Sequence, residues 1–146
     1  MEIERKYIIE ETPKNLKDFS YKTIKQGYIS TSPVIRIRQL GEEYILTIKG
    51  KGLLAREEYE LNISESEFYT LSDKVDGIVI DKTRYYIPFD KYTIELDIFH
   101  KDYQGLILAE VEFETLEEAN TFVAPAWFGE DVTHLSKYHN SSLSKG

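Results

Sequence analysis

The chain contains no cysteine, which excludes disulfides, thiolate zinc sites and cysteine nucleophiles together and fits a reducing compartment. Glycine and proline number only 8 and 4 in 146 residues, which argues against a disordered chain. No apolar run is long enough to span a bilayer, and the N-terminus has neither the basic nor the apolar region of a secretory signal. A soluble, cytoplasmic protein without a membrane partner is therefore expected. Positive charge is also in deficit: 18 Lys and Arg face 26 Asp and Glu, a net charge of -8. That balance argues against a broad electrostatic footprint for nucleic acid. An anion bound by this chain has to meet a local basic cluster. His100, His134 and His139 form no helical i, i+4 pair, so a histidine zinc site is not expected.

What is present favours strands. The length suits one domain, taken as 1-146, with a core that needs no staple. Eleven Tyr and seven Phe accompany abundant Ile, a composition suited to pleated, half-buried surfaces. Alternation then locates the strands. At the N-terminus Glu2, Glu4 and Lys6 occupy one face and Ile3, Arg5 and Tyr7 the other. The stretch 21–31 places Gln26, Tyr28 and Ser30 together, with Gly27 marking where a bulge is admissible. Next come Arg36 and Arg38 against Ile35 and Ile37, and Thr47, Lys49 and Lys51 against Tyr44, Leu46 and Ile48. Arg56, Glu58 and Glu60 oppose Tyr59, Leu61 and Ile63; Lys82, Arg84 and Tyr86 oppose Thr83, Tyr85 and Ile87. Glu95 and Asp97 oppose Ile94, Leu96 and Ile98, and Glu110, Glu112 and Glu114 oppose Ile107, Ala109, Val111 and Phe113. Short helices are expected over 14–19, after Ser64, after Thr115 and over 133–143, the middle two opened by capping boxes.

The signs of these charges are segregated by strand. Arg36, Arg38, Lys49, Lys82 and Arg84 come from strands that offer only cations on that face, while the last two strands offer only carboxylates; a merely solvated face mixes signs. The aliphatic faces still need cover. Both demands are met by a mainly β (α+β) fold in which roughly eight antiparallel strands close into a barrel, charges inside and short helices outside. A charged lumen is costly to desolvate unless it has an occupant. Arg and Lys grip phosphate oxygens, and clustered carboxylates hold Mg²⁺ or Mn²⁺, which bridges phosphates. Gly50-Lys51-Gly52 lacks the spacing of a phosphate-binding loop and reads as a turn.

The ordered set Glu2-x-Glu4-x-Lys6, Arg36-x-Arg38, Lys49, Arg56-x-Glu58-x-Glu60, Lys82-x-Arg84, Glu95-x-Asp97 and Glu110-x-Glu112-x-Glu114 resembles the CYTH domain, or triphosphate tunnel metalloenzyme, superfamily over nearly the whole chain. Val132-Thr133 with Tyr138 and Asn140 also resembles the C-terminal pattern of that family. The resemblance implies an eight-stranded antiparallel tunnel and, for a short bacterial member, hydrolysis of tripolyphosphate to pyrophosphate and phosphate. It implies phosphate binding by Lys6, Arg36, Arg38, Lys49, Arg56, Lys82 and Arg84. Metal ligation falls to Glu2, Glu4, Glu112 and Glu114, with Glu110 a further candidate, and Mg²⁺ or Mn²⁺ is the implied cofactor. Glu58, Glu60, Glu95 and Asp97 are expected as counter-charges, because a carboxylate beside Arg or Lys more often forms an ion pair than binds metal. Tyr28 is a catalytic candidate with Lys82 and Lys6. Thiamine triphosphatase, a class IV-type adenylyl cyclase, and a non-enzymatic domain sensing polyphosphate or nucleotide are the alternatives. The oligomeric state is open, a homodimer included.

Overall fold

Strict alternation of charged and aliphatic side chains dictates where the strands lie. The computed structural model describes residues 3–50 and 57–145. Its strands are β1 (Ile3–Ile8), β2 (Ser20–Thr31), β3 (Val34–Leu40), β4 (Glu43–Lys49), β5 (Glu58–Asn62), β6 (Ile80–Phe89), β7 (Tyr92–Phe99) and β8 (Ile107–Phe113). The ladders are antiparallel. The chain divides into two compact units, Met1–Lys22 with Lys82–Ser136 and Thr23–Asp81 with Lys137–Gly146.

In the first unit the strands stand in the order β1-β8-β7-β6. Lys6 lies opposite Glu110, Glu4 opposite Glu112, Glu95 opposite Glu110 and Arg84 opposite Asp97. Residues directly opposite in a ladder share a face, so these charges occupy one side of the sheet. The other side is the core, where Tyr7, Ile87, Ile94, Leu96, Ala109, Val111 and Phe113 are buried. Covering such side chains is worth roughly 1.5–3 kcal/mol for each large one. Helix α2 (Leu116–Thr121) supplies the cover through Ala119, and Phe122 just beyond it packs edge-on to Phe113 at 5.2 Å. Thr115 caps the helix by accepting from the Glu118 amide. The Glu118 carboxylate takes the Thr115 hydroxyl on Oε1 at 3.3 Å, and Lys91 Nζ at 2.7 Å and the Tyr92 hydroxyl at 3.0 Å on Oε2, so an ion pair stands beside the cap in place of the expected reciprocal box.

In the second unit the order is β2-β3-β4-β5. Gln26 faces Arg38, Tyr28 faces Arg36, Arg36 faces Thr47 and Lys49 faces Glu58. The ladder shifts between Tyr28 and Ser30, placing Ser30 opposite Ile35. One additional residue in the strand reverses every later side chain. Ser30 therefore leaves the face shared by Gln26 and Tyr28, contrary to the simple alternation. Gly27 is on the other face, where an added Cβ would lie 2.8 Å from both Val75 methyl carbons. Helix α1 (Glu65–Ser72) opens with both halves of a capping box, Ser64 with Glu67, and buries Phe68 with its ring 5.3 Å from that of Tyr44.

Two helical expectations are corrected. The stretch 14–19 contains only a 3-10 turn at Leu16–Asp18, and 133–143 holds a 3-10 turn, Ser136–Tyr138, before the short α3 (Asn140–Leu143). Thr133 opens no helix: the hydroxyl that would cap it accepts from Lys6 N at 3.0 Å, and the preceding Val132 N donates to Lys6 O at 2.8 Å.

The same segment accounts for a correction to the closed barrel. Among the described residues β1 pairs with β8 alone and β5 with β4 alone, so the strands do not complete a hydrogen-bonded ring. The second edge of β1 is taken up by 129–133: Gly129 N donates to Ile8 O at 2.8 Å and Ile8 N to Glu130 O at 2.9 Å. Counting strands from sequence cannot reveal that an edge has been claimed by irregular chain. Among the described residues no helix is long and apolar enough to cross a membrane.

Candidate active site

On the charged face of the first unit, ladder register converts alternation into ion pairs. Asp97 is the hub, 1% exposed, as is Lys82. Its Oδ2 accepts from Lys82 Nζ at 2.8 Å and from Arg84 Nη2 at 2.8 Å, and its Oδ1 from Arg84 Nε at 2.7 Å. Arg84 Nη1 reaches Glu95 Oε2 at 2.6 Å, and Lys6 Nζ lies 3.2 Å from Glu110 Oε1. The three Arg84 nitrogens are thus all engaged by acids, in the geometry of a guanidinium fork.

Burial and charge pull the proton affinities of this group in different directions. Burial pushes Lys82 below the usual lysine value, with Asp97 opposing and Arg84 adding. Burial raises Asp97, but Lys82 and Arg84 outweigh it and hold the carboxyl below its usual range. Burial pushes Glu95 up, against Arg84 and with help from Glu110 and Asp97. Burial, with the Arg84 guanidinium beside it, therefore loosens the hold of Lys82 on its proton while Asp97 opposes the change.

At the end of β7 and β8 a cavity of about 550 Å³ is lined by Glu95, Glu112 and Glu114 from the charged face together with Tyr92 and Phe113 from the core side and the Lys91–Glu118 pair. Carboxylate oxygens suit a hard dication, so the donor chemistry fits Mg²⁺ or Mn²⁺. Among the described residues no three acidic or histidine side chains converge as a ready ligand set. Glu110 is engaged by Lys6 and Glu95 by Arg84, while Glu4, Glu112 and Glu114 belong to the more exposed end of the face. Glu2, an expected ligand, lies outside the described residues.

The second unit carries the other cations. Arg38 Nε donates to Gln26 Oε1 at 2.9 Å, and Arg36 Nη2 to Thr47 Oγ1 at a long 3.4 Å. Arg36 Nε is buried and finds no acceptor among the described residues. Lys49 is half-buried opposite the exposed Glu58, Glu60 is exposed opposite Thr47, and Tyr28 is buried opposite Arg36. Arg56 lies outside the described residues. Sequence reasoning put Gln26 on this face without a role; its position across from Arg38 was the available signal.

No family model matches the chain. It is 38% identical over 148 residues to an inorganic triphosphatase of Nitrosomonas europaea, with 98% of this chain and 96% of the relative covered. An inorganic triphosphatase of Acetivibrio thermocellus is 35% identical over 150 residues, covering 99% and 93%. The crystal structure of an inorganic triphosphatase superposes with a TM-score of 0.85 at 34% identity, covering 100% of this chain and 95% of the other. With likeness at this level running from end to end, the chain belongs to the inorganic triphosphatase family.

Proposed function

We propose that the protein hydrolyses inorganic tripolyphosphate to pyrophosphate and phosphate with the help of a divalent cation. The observation that carries this is the segregated charged face of the first unit, with Lys6 opposite Glu110, Arg84 opposite Asp97 and Lys82 hydrogen-bonded to Asp97, in a chain related over its full length to named inorganic triphosphatases.

Lys6, Lys82, Arg36, Arg38 and Lys49 would hold phosphate oxygens, Arg56 with them. Arg84, already engaged by Asp97 and Glu95, would act mainly by fixing the field around Lys82. Glu4, Glu112 and Glu114, together with Glu2, would hold Mg²⁺ or Mn²⁺, while Glu110 serves Lys6 first. The metal would neutralise phosphate charge and lower the pKa of bound water. The basic side chains stabilise negative charge spread over the transferring group, which is most of what phosphoryl transfer asks of a protein. Lys82 is a catalytic candidate through the positive charge it holds against Asp97. Tyr28 is the second catalytic candidate.

The test is a substrate panel of tripolyphosphate, thiamine triphosphate and ATP, each with Mg²⁺, Mn²⁺ or chelator, reading phosphate, pyrophosphate and cyclic nucleotide together. Metal-dependent release of phosphate and pyrophosphate from tripolyphosphate is expected to dominate. Preferential turnover of thiamine triphosphate or formation of cyclic nucleotide would replace the substrate assignment. Binding without turnover would make the domain a sensor, and full activity in chelator would remove the metal.

A further inference from the structure

We infer that Gln26 is a phosphate-contacting residue that sets the position of Arg38 and donates its own amide to a non-bridging oxygen of the polyphosphate. The inference deepens the reading above and rests on it.

Gln26 sits in the interior of β2, 1% exposed, directly opposite Arg38. Arginine is donor-only, so the Arg38 Nε contact at 2.9 Å fixes which end of the amide is which: Oε1 faces the guanidinium. Nε2 is then directed elsewhere, buried and without an acceptor among the described residues. A buried amide nitrogen without an acceptor is penalised, and native proteins leave few of them. Two places along β3, Arg36 Nε is buried in the same condition, and Arg36 pairs across the ladder with Tyr28, two residues on from Gln26. Unsatisfied donors thus recur at neighbouring positions of one face. The ligand that matches such donors is an oxyanion rich in acceptors, and a phosphate chain has that character.

The two functions of Gln26 fall to different atoms. Oε1 restrains the Arg38 fork, and Nε2 supplies a neutral donor whose contribution does not depend on pH. Because a carboxamide carries no charge, it discriminates against ligands that present a donor where phosphate presents an oxygen, without adding to the positive charge of the face.

Gln26→Glu separates the two roles. It keeps the shape and leaves an oxygen for Arg38, but puts a negative acceptor where the amide donor was. Like-charge placement against a phosphate is strongly unfavourable, so the KM for tripolyphosphate should rise roughly 30-fold or more. The thermal stabilisation that tripolyphosphate gives in chelator should shrink, while the unliganded protein unfolds no earlier than the parent. Gln26→Met, which removes both roles, should also raise KM. If Gln26→Glu binds tripolyphosphate as the parent does, Gln26 merely holds Arg38 and the inference fails. Arg36→Ala serves as the control. An unchanged KM in Arg36→Ala would show that the second unit's face does not take phosphate, and the broader assignment would fail there; a raised KM in Arg36→Ala with an unchanged one in Gln26→Glu would overturn the Gln26 role alone.

Discussion

Replacing Asp97 by Asn should destabilise the protein by about 3–5 kcal/mol while changing its shape hardly at all. Asp97 accepts three hydrogen bonds, one from Lys82 and two from Arg84. Each bond to an ionised group is worth roughly 1.5–3 kcal/mol when simply deleted. Asn retains one acceptor oxygen, and Lys82 can relieve part of the remaining repulsion by shedding its proton. The loss therefore falls near the value for breaking a buried pair from one side, about 3–5 kcal/mol. That is a large part of the 5–15 kcal/mol typical of a domain. Trp127, the sole tryptophan, belongs to the same unit and packs against Phe128 at 4.7 Å, so its fluorescence reports unfolding of this region. With a urea slope of about 2 kcal/mol per molar, the midpoint should fall by roughly 2 M. Lys82→Met should cost less, because Asp97 keeps Arg84. The double substitution should cost less than the sum of the two, the mark of direct coupling. A midpoint within about 0.5 M of the parent for Asp97→Asn would refute the idea that this carboxylate organises the charged face.

Arg38→Ala should mainly raise the KM for tripolyphosphate, by a factor on the order of 30 or more, from the loss of roughly 2–5 kcal/mol of charged contact. Glu114→Gln or Glu4→Gln should mainly lower kcat and weaken Mg²⁺ or Mn²⁺ titration, with the unfolding temperature retained or raised as acidic crowding is relieved; steady-state kinetics beside thermal scans separates the two outcomes. Gly27→Ala should destabilise by about 1–3 kcal/mol through overpacking against Val75, and Val75→Ala should restore part of it, both read from urea curves. Stability should also fall with acid. Asp97 is held below its usual 3.8, so the stability it provides is complete above that value and is lost as pH falls through the folded value. Glu95 is raised above its usual 4.5 and works oppositely, giving up stability as pH climbs through its folded value. Asp97→Asn should therefore flatten the acid limb of the unfolding profile measured from pH 2 to 6.

The faces of the sheet were legible because period-two alternation is a local property: Glu95 and Asp97 against Ile94 and Leu96 can be read from four consecutive letters. The counter-charge geometry at Arg84 was legible only as a face, since which acid meets which nitrogen depends on register between strands. Gly27 marks a place where this strand admits a bulge, but the shift falls after Tyr28, where neither proline nor a break in composition marks Ile29. The irregular stretch before α3 escaped for another reason. Its hydrogen-bond partners belong to β1, 127 residues away in the case of Lys6 and Thr133, and no local pattern encodes a partner at that distance. Gln26 looked like one more polar residue on a polar face until its neighbour showed which end of the amide was spoken for.

The arrangement around β1 has a consequence for how the chain comes into being. Tyr7 pairs with Ala109 on one side and forms a bridge to Asp131 on the other, so both neighbours of the first strand belong to the last third of the molecule. At roughly 5–20 residues per second of synthesis, the hundred residues between β1 and β8 occupy on the order of 5–20 s, against microseconds for local collapse. For that interval the strand has the amide groups of an edge and no partner to receive them. Charges set within an exposed strand discourage pairing with foreign strands, and Glu4, Arg5 and Lys6 are three in succession. The side chains assigned to grip metal and phosphate in the finished protein thus also guard the nascent one, so exchanging Glu4 and Lys6 for apolar residues would be felt as aggregation during expression before any assay of catalysis could begin.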